Sequence, residues 1–297
     1  MTELKYRVSA PWQHQQISQI LKKQLGFSAL RLKSLRCTVD SVLLDGRSVP
    51  FYQCPVEGQV LTVRLPEDPP SPVEPVEGQL HLLYEDEHLV IVDKAPGMAV
   101  HPGPGHHQDT LGNLLTWHYL SRGEHHLFRP VTRLDRSTSG LVCVAKHAYA
   151  AELLGRAMEQ GNFHKEYLAI CEGVPQHLRG TVDAPIGRRE GSVLERQVRP
   201  DGKRAVTRYE ALGGNRGRCL LRVEPETGRT HQIRVHMAWL GHPLTGDFLY
   251  GTESPDLIPR AALHAWGLQF PHPITGQPLS FHAPLPQDMR RLLETES

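Results

Sequence analysis

The hydrophobic pattern near the start of the chain predicts an amphipathic helix. Ile17, Ile20, Leu21 and Leu25 recur at helical spacing, and Gly26 is placed to end that helix. Because these four side chains would lie on one face, we expect the helix to pack against a small core of its own.

Shorter patterns follow this helix. A second short helix is predicted to begin at Ser28, and the turn pair Asp45-Gly46 joins the apolar run 42–44 to residues 47–49 as a hairpin. The alternating run 60–65 predicts a further strand. Two helices followed by short strands resemble the S4 RNA-binding module over roughly residues 14–65. The basic side chains that would contact RNA in such a module are Lys22, Lys23, Arg31, Lys33 and Arg36. A small packing domain without RNA contact is the alternative.

A proline-rich stretch separates this unit from the rest of the chain. Residues 66–75 contain five prolines in ten positions, which precludes a helix or a central strand and favours an extended, semi-rigid spacer. The sequence therefore predicts a module at 1–65, a linker at 66–78 and a larger domain at 79–297.

Beyond the linker, strand-like and helical patterns alternate irregularly. Apolar runs at 80–83 and 89–92 predict a hairpin, and Thr110 is placed to cap a helix. Further helices are expected around 148–159 and 230–240. Further strands are expected at 141–145, 163–170, 204–212, 218–224, 262–270 and 279–282. This order favours an α+β fold with a mixed, largely antiparallel sheet and peripheral helices.

Composition and charge restrict the class of protein only loosely. The chain has 297 residues, 39% hydrophobic and 22% charged, with a net charge of +1, which does not by itself indicate a nucleic-acid partner. The five cysteines form no CxxC pair, and neither an apolar leader nor a run long enough to span a bilayer is present. We therefore expect a soluble, cytoplasmic protein with reduced cysteines.

The most informative segment for chemistry surrounds Asp135. Arg133 and Arg136 flank this carboxylate, and the apolar run 141–145 follows. Neighbouring guanidinium groups favour the ionised form of a carboxyl group, so Asp135 is a candidate nucleophile or general base. The basic flanks suit a substrate that carries phosphates.

This segment resembles the catalytic loop of the RluA-type pseudouridine synthases. Four segments match that family in order: 94–102 (KAPGMAVHP), 133–141 (RLDRSTSGL), 165–169 (KEYLA) and 228–236 (GRTHQIRVH). Residues 241–244, 246–247 and 250–251 extend the last of these matches. One departure is Thr132, where the family usually has His. The resemblance implies a pseudouridine-synthase-like fold and an isomerase that converts uridine in structured RNA, ribosomal or transfer, to pseudouridine without a cofactor or metal.

The resemblance also implies roles for single residues. Asp135 is expected to be the essential carboxylate, which attacks C1′, attacks the base or removes the 2′ proton. Tyr167 is expected to stack on the uracil or, as the alternative, to accept a proton. Arg234 is expected to pair with Asp135, although a solvated surface position is the alternative.

Further residues are expected to contact RNA. Arg133 is expected to enter the RNA stack as the target base leaves it, and Leu244 either closes the pocket or is a plain core leucine. The other expected substrate contacts are Arg229 and His231. A basic run supplies the expected phosphate contacts Arg188, Arg189, Lys203 and Arg204.

Other classes of function fit the sequence less well. The 18 histidines show no metal-ligand spacing, since His231 and His236 are five positions apart and HExxH is lacking. A non-catalytic RNA-binding or ribosome-assembly protein on the same fold is the main alternative. A third alternative is an acid–base hydrolase that acts on nucleosides or sugars through Asp135, although no motif offers a second carboxylate. We expect a monomer.

Overall fold

A computed structural model describes residues 2–215 and 217–294 of the chain. The N-terminal unit is a four-stranded antiparallel sheet of strand order β1-β4-β2-β3. Its strands are β1 (Glu3–Arg7), β2 (Val42–Leu44), β3 (Arg47–Ser48) and β4 (Val60–Arg64). The sequence did not predict β1, which lies at the edge of this sheet.

Two helical segments cover the small sheet. The first is one α turn, α1 (Ile17–Gln19), that continues as a π-helix (Ile20–Gln24) and ends at Gly26, whose φ is +72°. The second, α2 (Ala29–Arg36), begins where the Ser28 hydroxyl accepts a hydrogen bond from the Arg31 amide at 3.3 Å. Both predicted helices and the β2–β3 hairpin are confirmed.

The larger part of the chain forms a sheet of order β10-β13-β14-β9-β15-β8-β6-β5, with β16 beside β15 and β7 beside β8. Its strands are β5 (His81–Glu85), β6 (Leu89–Lys94), β7 (Arg129–Pro130), β8 (Ser139–Ala145), β9 (His164–Glu172), β10 (Arg179–Asp183), β13 (Val206–Asn215), β14 (Arg218–Pro225), β15 (Leu263–Pro271) and β16 (Pro278–His282). A separate two-stranded ribbon consists of β11 (Ile186–Arg188) and β12 (Arg196–Val198). The helices are α3 (Leu111–Leu120), α4 (Ala148–Glu159), α5 (Gln232–Trp239) and α6 (Gln287–Arg291).

Strand direction confirms the predicted fold class. β8 runs parallel to β15, whereas the other neighbouring strands of the large sheet pair antiparallel. The fold is α+β, with a mixed, largely antiparallel sheet and peripheral helices.

Strand β8 is buried at every position because helices cover both faces of the sheet around it. Leu141 and Cys143 pack in a cluster with Leu154 of α4, whereas Val142 and Val144 pack in a cluster with α3 residues. Alternate side chains of a strand point to opposite faces, so this apolar run needs cover on each side. The strand is thereby a rigid support for the Asp135 loop that precedes it.

The proline-rich segment lies against the larger domain. Asp68 forms an ion pair with Arg129 and accepts a hydrogen bond from the Leu127 amide at 3.1 Å. Further along, Asn113 Nδ2 donates to the Glu74 carbonyl at 2.8 Å. The segment is therefore extended and fastened by side-chain contacts.

The N-terminal unit also packs on α4. The rings of Phe27 and Tyr149 are stacked with centroids 4.0 Å apart, and Arg156 Nη2 donates to the Gly26 carbonyl at 2.7 Å. The division into an RNA-binding module, a linker and a catalytic domain remains a prediction. Throughout 2–215 and 217–294, no helix is both long enough and apolar enough to cross a membrane.

Candidate active site

A cavity of about 480 Å³ lies where the Asp135 loop, β9 and the start of α5 meet. Six of the side chains that the sequence singled out line it: Arg133, Asp135, Tyr167, Arg229, His231 and Arg234. They come from segments far apart in the chain, so the fold assembles them. The volume falls within the usual range for small-ligand sites.

The Asp135 loop is held at its first end by Thr132. The Thr132 hydroxyl accepts a hydrogen bond from the Cys143 amide at 2.9 Å, which ties the loop to β8. Thr132 is buried, so at this departure from the family pattern the side chain supports the loop from within. Within the loop, the Thr138 amide donates to the Asp135 carbonyl at 3.0 Å.

Gly140 allows the other end of the loop to lie close to β15. Its φ is +107°, and a Cβ at this position would lie 2.3 Å from the Ala265 carbonyl oxygen. Only glycine accepts both the left-handed backbone and this approach.

Lys94 also contacts the backbone of the Asp135 loop. Its ammonium donates to the carbonyls of Ala95 at 2.8 Å, Met98 at 2.9 Å and Arg136 at 3.4 Å. Burial, together with the charge of Arg260, lowers the pKa of Lys94 to about 7. The sequence identified the segment around Lys94 but not this contact, because the partners are backbone atoms that only the fold brings together.

Arg234 makes its closest contacts with Asp247. Nε and Nη2 donate to the two Asp247 carboxylate oxygens at 2.7 and 2.6 Å, and both residues are buried, at 2% and 0% exposed. Nη1 lies 3.7 Å from Asp135 Oδ2. The expected proximity to Asp135 is present, but the hydrogen-bonded partner is Asp247, and a surface position for Arg234 is wrong.

The electrostatics of this trio favour charged groups. Burial opposes the charge of Arg234, but hydrogen bonds and the charge of Asp247, with Asp135 adding to them, raise the pKa of Arg234 above its ordinary value. The guanidinium is therefore a permanent cation beside Asp135, whose side chain is 26% exposed.

His231 also lies near the Asp135 carboxylate, on the side of the same oxygen atom that Arg234 approaches. It precedes α5 with a left-handed φ of +59°, Nδ1 lies 2.8 Å from Tyr250 Oη, and Nε2 lies 4.0 Å from Asp135 Oδ2. Burial lowers the pKa of His231, although the charge of Asp135 acts in the opposite direction. The Tyr250 contact, which the sequence did not single out, orients this ring.

Tyr167 lies in β9 and lines the cavity together with Asp135. Burial and the negative charge of Asp135 raise the pKa of the Tyr167 phenol. The phenol is therefore protonated at neutral pH, which favours ring stacking over proton abstraction.

Some candidate residues lie elsewhere. Leu244 is 1% exposed and packs in a core cluster with Ile233, against which Tyr167 also packs. Ile233 and Tyr167 line the cavity, whereas Leu244 is not among the lining side chains. Of the two interpretations of Leu244, the structure favours the core position, behind side chains that line the cavity, and its chain segment pairs with Cys171 of β9.

The four basic candidates lie outside the cavity on an exposed surface. They occupy the β11–β12 ribbon and the segment that follows it: Arg188, Arg189, Lys203 and Arg204. Arg189 forms an ion pair with Glu195, and the Arg204 carbonyl accepts from Arg229 Nε at 3.0 Å. The last contact joins this surface to the cavity wall. Among the residues that the structure describes, no group of three or more His, Cys, Asp or Glu is placed to hold a metal ion.

Comparison with known proteins assigns the family. A family model described as RNA pseudouridylate synthase matches residues 88–239. An uncharacterized RNA pseudouridine synthase of Bacillus subtilis, YjbO, is 41% identical over 92% of this chain and 97% of its own length. A ribosomal large subunit pseudouridine synthase D of Nitrosomonas europaea is 44% identical over 72% of this chain and 64% of its own.

Solved structures agree with this assignment. The human RNA pseudouridylate synthase domain containing 1 superposes with a TM-score of 0.58 at 28% identity, covering 69% of this chain and 83% of its own. The human RNA pseudouridylate synthase domain containing 4 superposes with a TM-score of 0.58 at 25% identity, covering 73% of this chain and 95% of its own. With matches over most of its length, the chain belongs to the RNA pseudouridylate synthase family and is an isomerase that acts on RNA.

Proposed function

We propose that Asp135 is the catalytic carboxylate of this synthase and that its substrate is ribosomal RNA. The observation that carries the first part is the position of Asp135 in the cavity, with the fixed Arg234 cation 3.7 Å from its carboxylate. The relatives named as ribosomal large subunit synthases support the second part.

The reaction requires few groups from the protein. The N1–C1′ bond of uridine breaks, the uracil turns, C5 bonds to C1′, and the C5 proton is lost while N1 gains one. Attack by the carboxylate on C1′, attack on the base and removal of the 2′ proton each need an ionised Asp135. Arg234 Nη1 lies 3.7 Å from Asp135 Oδ2, where its positive charge attracts the carboxylate.

Tyr167 and Arg133 act on the substrate around that carboxylate. The protonated Tyr167 ring offers a flat face on which the freed uracil stacks. Arg133 is exposed at the cavity wall, where its guanidinium fills the space that the extruded base leaves in the RNA stack. The reaction is an isomerisation without net oxidation or reduction, so we propose that it uses these side chains without a cofactor. We also propose that the enzyme is a cytoplasmic monomer.

Tritium release tests the role of Asp135. The substrate is RNA labelled at uracil C5 and extracted from cells that lack this protein, which leaves its target uridine unmodified. We expect the wild type to release tritium and yield pseudouridine on digestion, and Asp135→Asn to release none while it still binds the RNA. Asp256→Asn, a change at an exposed aspartate, is the matched control and should retain wild-type activity. Isomerisation by Asp135→Asn near the wild-type rate would refute the assignment.

A further inference from the structure

Lys165 lines the same cavity as Asp135 and Tyr167 but has no part in the chemistry described so far. It lies in β9 two positions before Tyr167. Side chains two positions apart in a strand point to the same face, so Lys165 and Tyr167 both face the cavity. A Cβ added to Gly228 would lie 3.9 Å from Lys165 Nζ, and the Gly228 position also lines the cavity.

The charge of Lys165 is unbalanced. Throughout residues 2–215 and 217–294, no carboxylate lies within ion-pair distance of its ammonium, and no hydrogen bond from it forms. Lys94 and Lys146 differ, since the first donates to three carbonyls and the second pairs with Glu85 and Glu124. Burial alone lowers the pKa of Lys165.

A desolvated cation is costly in a folded protein unless a partner compensates it. In the RNA-free enzyme no carboxylate of the described residues compensates Lys165, so its positive charge favours an anion that enters the cavity. RNA carries one negative phosphate per nucleotide, and a lysine ammonium is a compact donor for phosphate oxygens.

We propose that Lys165 binds a backbone phosphate of the nucleotide whose base enters the cavity. The inference rests on the proposed function, because it places the reacting nucleotide beside Asp135. A neutral uracil carbonyl would satisfy a hydrogen bond of Lys165 but would leave its charge uncompensated, whereas a phosphate supplies both. Lys165 thus fixes the ribose-phosphate end of the nucleotide while Tyr167 receives the base.

The test compares Lys165→Met, which removes the charged group and keeps the unbranched stem of the side chain, with Lys165→Arg, which keeps the charge. Initial rates of tritium release are measured on the C5-labelled RNA at several RNA and KCl concentrations. For Lys165→Met we expect KM to rise about 10- to 100-fold, as for loss of one charged hydrogen bond. We expect kcat to stay within about threefold of the wild type. The slope of log(kcat/KM) against log[KCl] should become shallower by about 0.7, the value for one phosphate of a single strand.

A second readout distinguishes a binding role from a structural one. Because Lys165 is partly buried and its charge has no carboxylate partner in the free enzyme, Lys165→Met should raise the thermal midpoint of unfolding in the absence of RNA. A structural lysine would give the opposite change. Lys165→Arg should keep the wild-type salt slope.

Three results would overturn the proposal. The first is an unchanged salt slope with a lower kcat in Lys165→Met, which would indicate that Lys165 contacts the uracil base. The second is wild-type kinetics in Lys165→Met. The third is a lower thermal midpoint of unfolding of Lys165→Met without RNA. Failure of the Asp135 assignment appears separately, as activity in Asp135→Asn, and does not depend on Lys165. If Lys165→Met does not fold, Lys165→Gln serves the same comparison.

Discussion

Arg234 holds Asp247 with two nitrogen atoms and directs the third toward Asp135. The buried Asp247 carboxylate therefore sets the position of the guanidinium, and the guanidinium in turn sets the electrostatic surroundings of Asp135. Asp247 Oδ1 also accepts a hydrogen bond from the Leu249 amide at 3.0 Å, which fixes the turn behind it.

Asp247→Asn should damage both stability and catalysis. Breaking a buried ion pair by removing one partner typically costs about 3–5 kcal/mol, because the other charge is left uncompensated. Urea unfolding measures the free energy of unfolding, and tritium release measures kcat, which should fall because Arg234 is free to shift toward Asp135. Asp256→Asn should change neither, and an unaltered free energy of unfolding in Asp247→Asn would contradict the structural role.

Tyr167→Phe separates stacking from proton transfer. Because the pKa of Tyr167 is raised, we expect its hydroxyl to stay protonated and its ring to stack on the uracil. Tyr167→Phe should therefore keep kcat within about tenfold of the wild type. Tyr167→Ala should weaken RNA affinity by about 1–3 kcal/mol, the usual value of one base–aromatic stack. Initial rates at several RNA concentrations give both quantities. A loss of kcat of about 10²- to 10⁴-fold in Tyr167→Phe would instead identify the hydroxyl as a general acid or base.

The four basic candidates near the β11–β12 ribbon, here called the exposed basic cluster, should contribute to RNA affinity through their charge. Replacing Arg188, Arg189, Lys203 and Arg204 together by Ala should raise KM and flatten its salt dependence, since each phosphate contact adds about 0.7–0.9 to the slope. Rates of tritium release at several KCl concentrations measure this slope. Arg291→Ala, at an exposed position in α6, is the control. An unchanged slope in the quadruple variant would remove the cluster from the RNA interface.

Buried His147 should make the protein sensitive to acid. Burial, with the charges of His88, His126 and Arg129, lowers the pKa of His147 to about 3, although Asp68 acts against this. Between the ordinary value near 6.5 and that pKa, the unfolded chain binds a proton that the folded chain does not, so the free energy of unfolding falls as the pH falls.

At about 1.4 kcal/mol per pH unit, this one group should remove about 2–3 kcal/mol between pH 6.5 and 4.5. Urea unfolding at these two pH values measures the loss. In His147→Asn the loss of unfolding free energy should be smaller by about 2–3 kcal/mol, because Asn does not titrate. The Asn side chain can still accept the hydrogen bond from the Ala150 amide that caps α4. His125→Asn, at an exposed position, is the control and should show the wild-type loss. Equal losses in His147→Asn and the wild type would contradict this account.

Periodicity and capping residues predicted many of the regular elements. The helix that begins after Thr110 and the hairpin at Asp45-Gly46 follow from local chemistry, and the structure contains both. Strand β1 was missed because it is short and its partner, β4, is about sixty positions away, so no local signal records the pairing.

The motifs identified most of the cavity but not its supports. Asp135, Tyr167 and Arg234 were found because each stands in a recognisable segment. Lys94 and Asp247 stand in equally recognisable segments, yet their partners are set by tertiary contacts that spacing along the chain does not encode. For Leu244 the sequence leaves pocket and core open, and the structure places it in the core cluster behind the lining residues Ile233 and Tyr167.

The stacking of Phe27 on Tyr149 and the ion pair of Asp68 with Arg129 join the N-terminal unit to the body that carries the cavity. Because these contacts restrain the connection, the N-terminal unit and the surface around the cavity keep a constant separation. An RNA that touches both must already present its target uridine at that separation, or bend until it does. Selection among uridines would then depend on the three-dimensional shape of the RNA, and two sites with identical flanking nucleotides could differ greatly in reactivity.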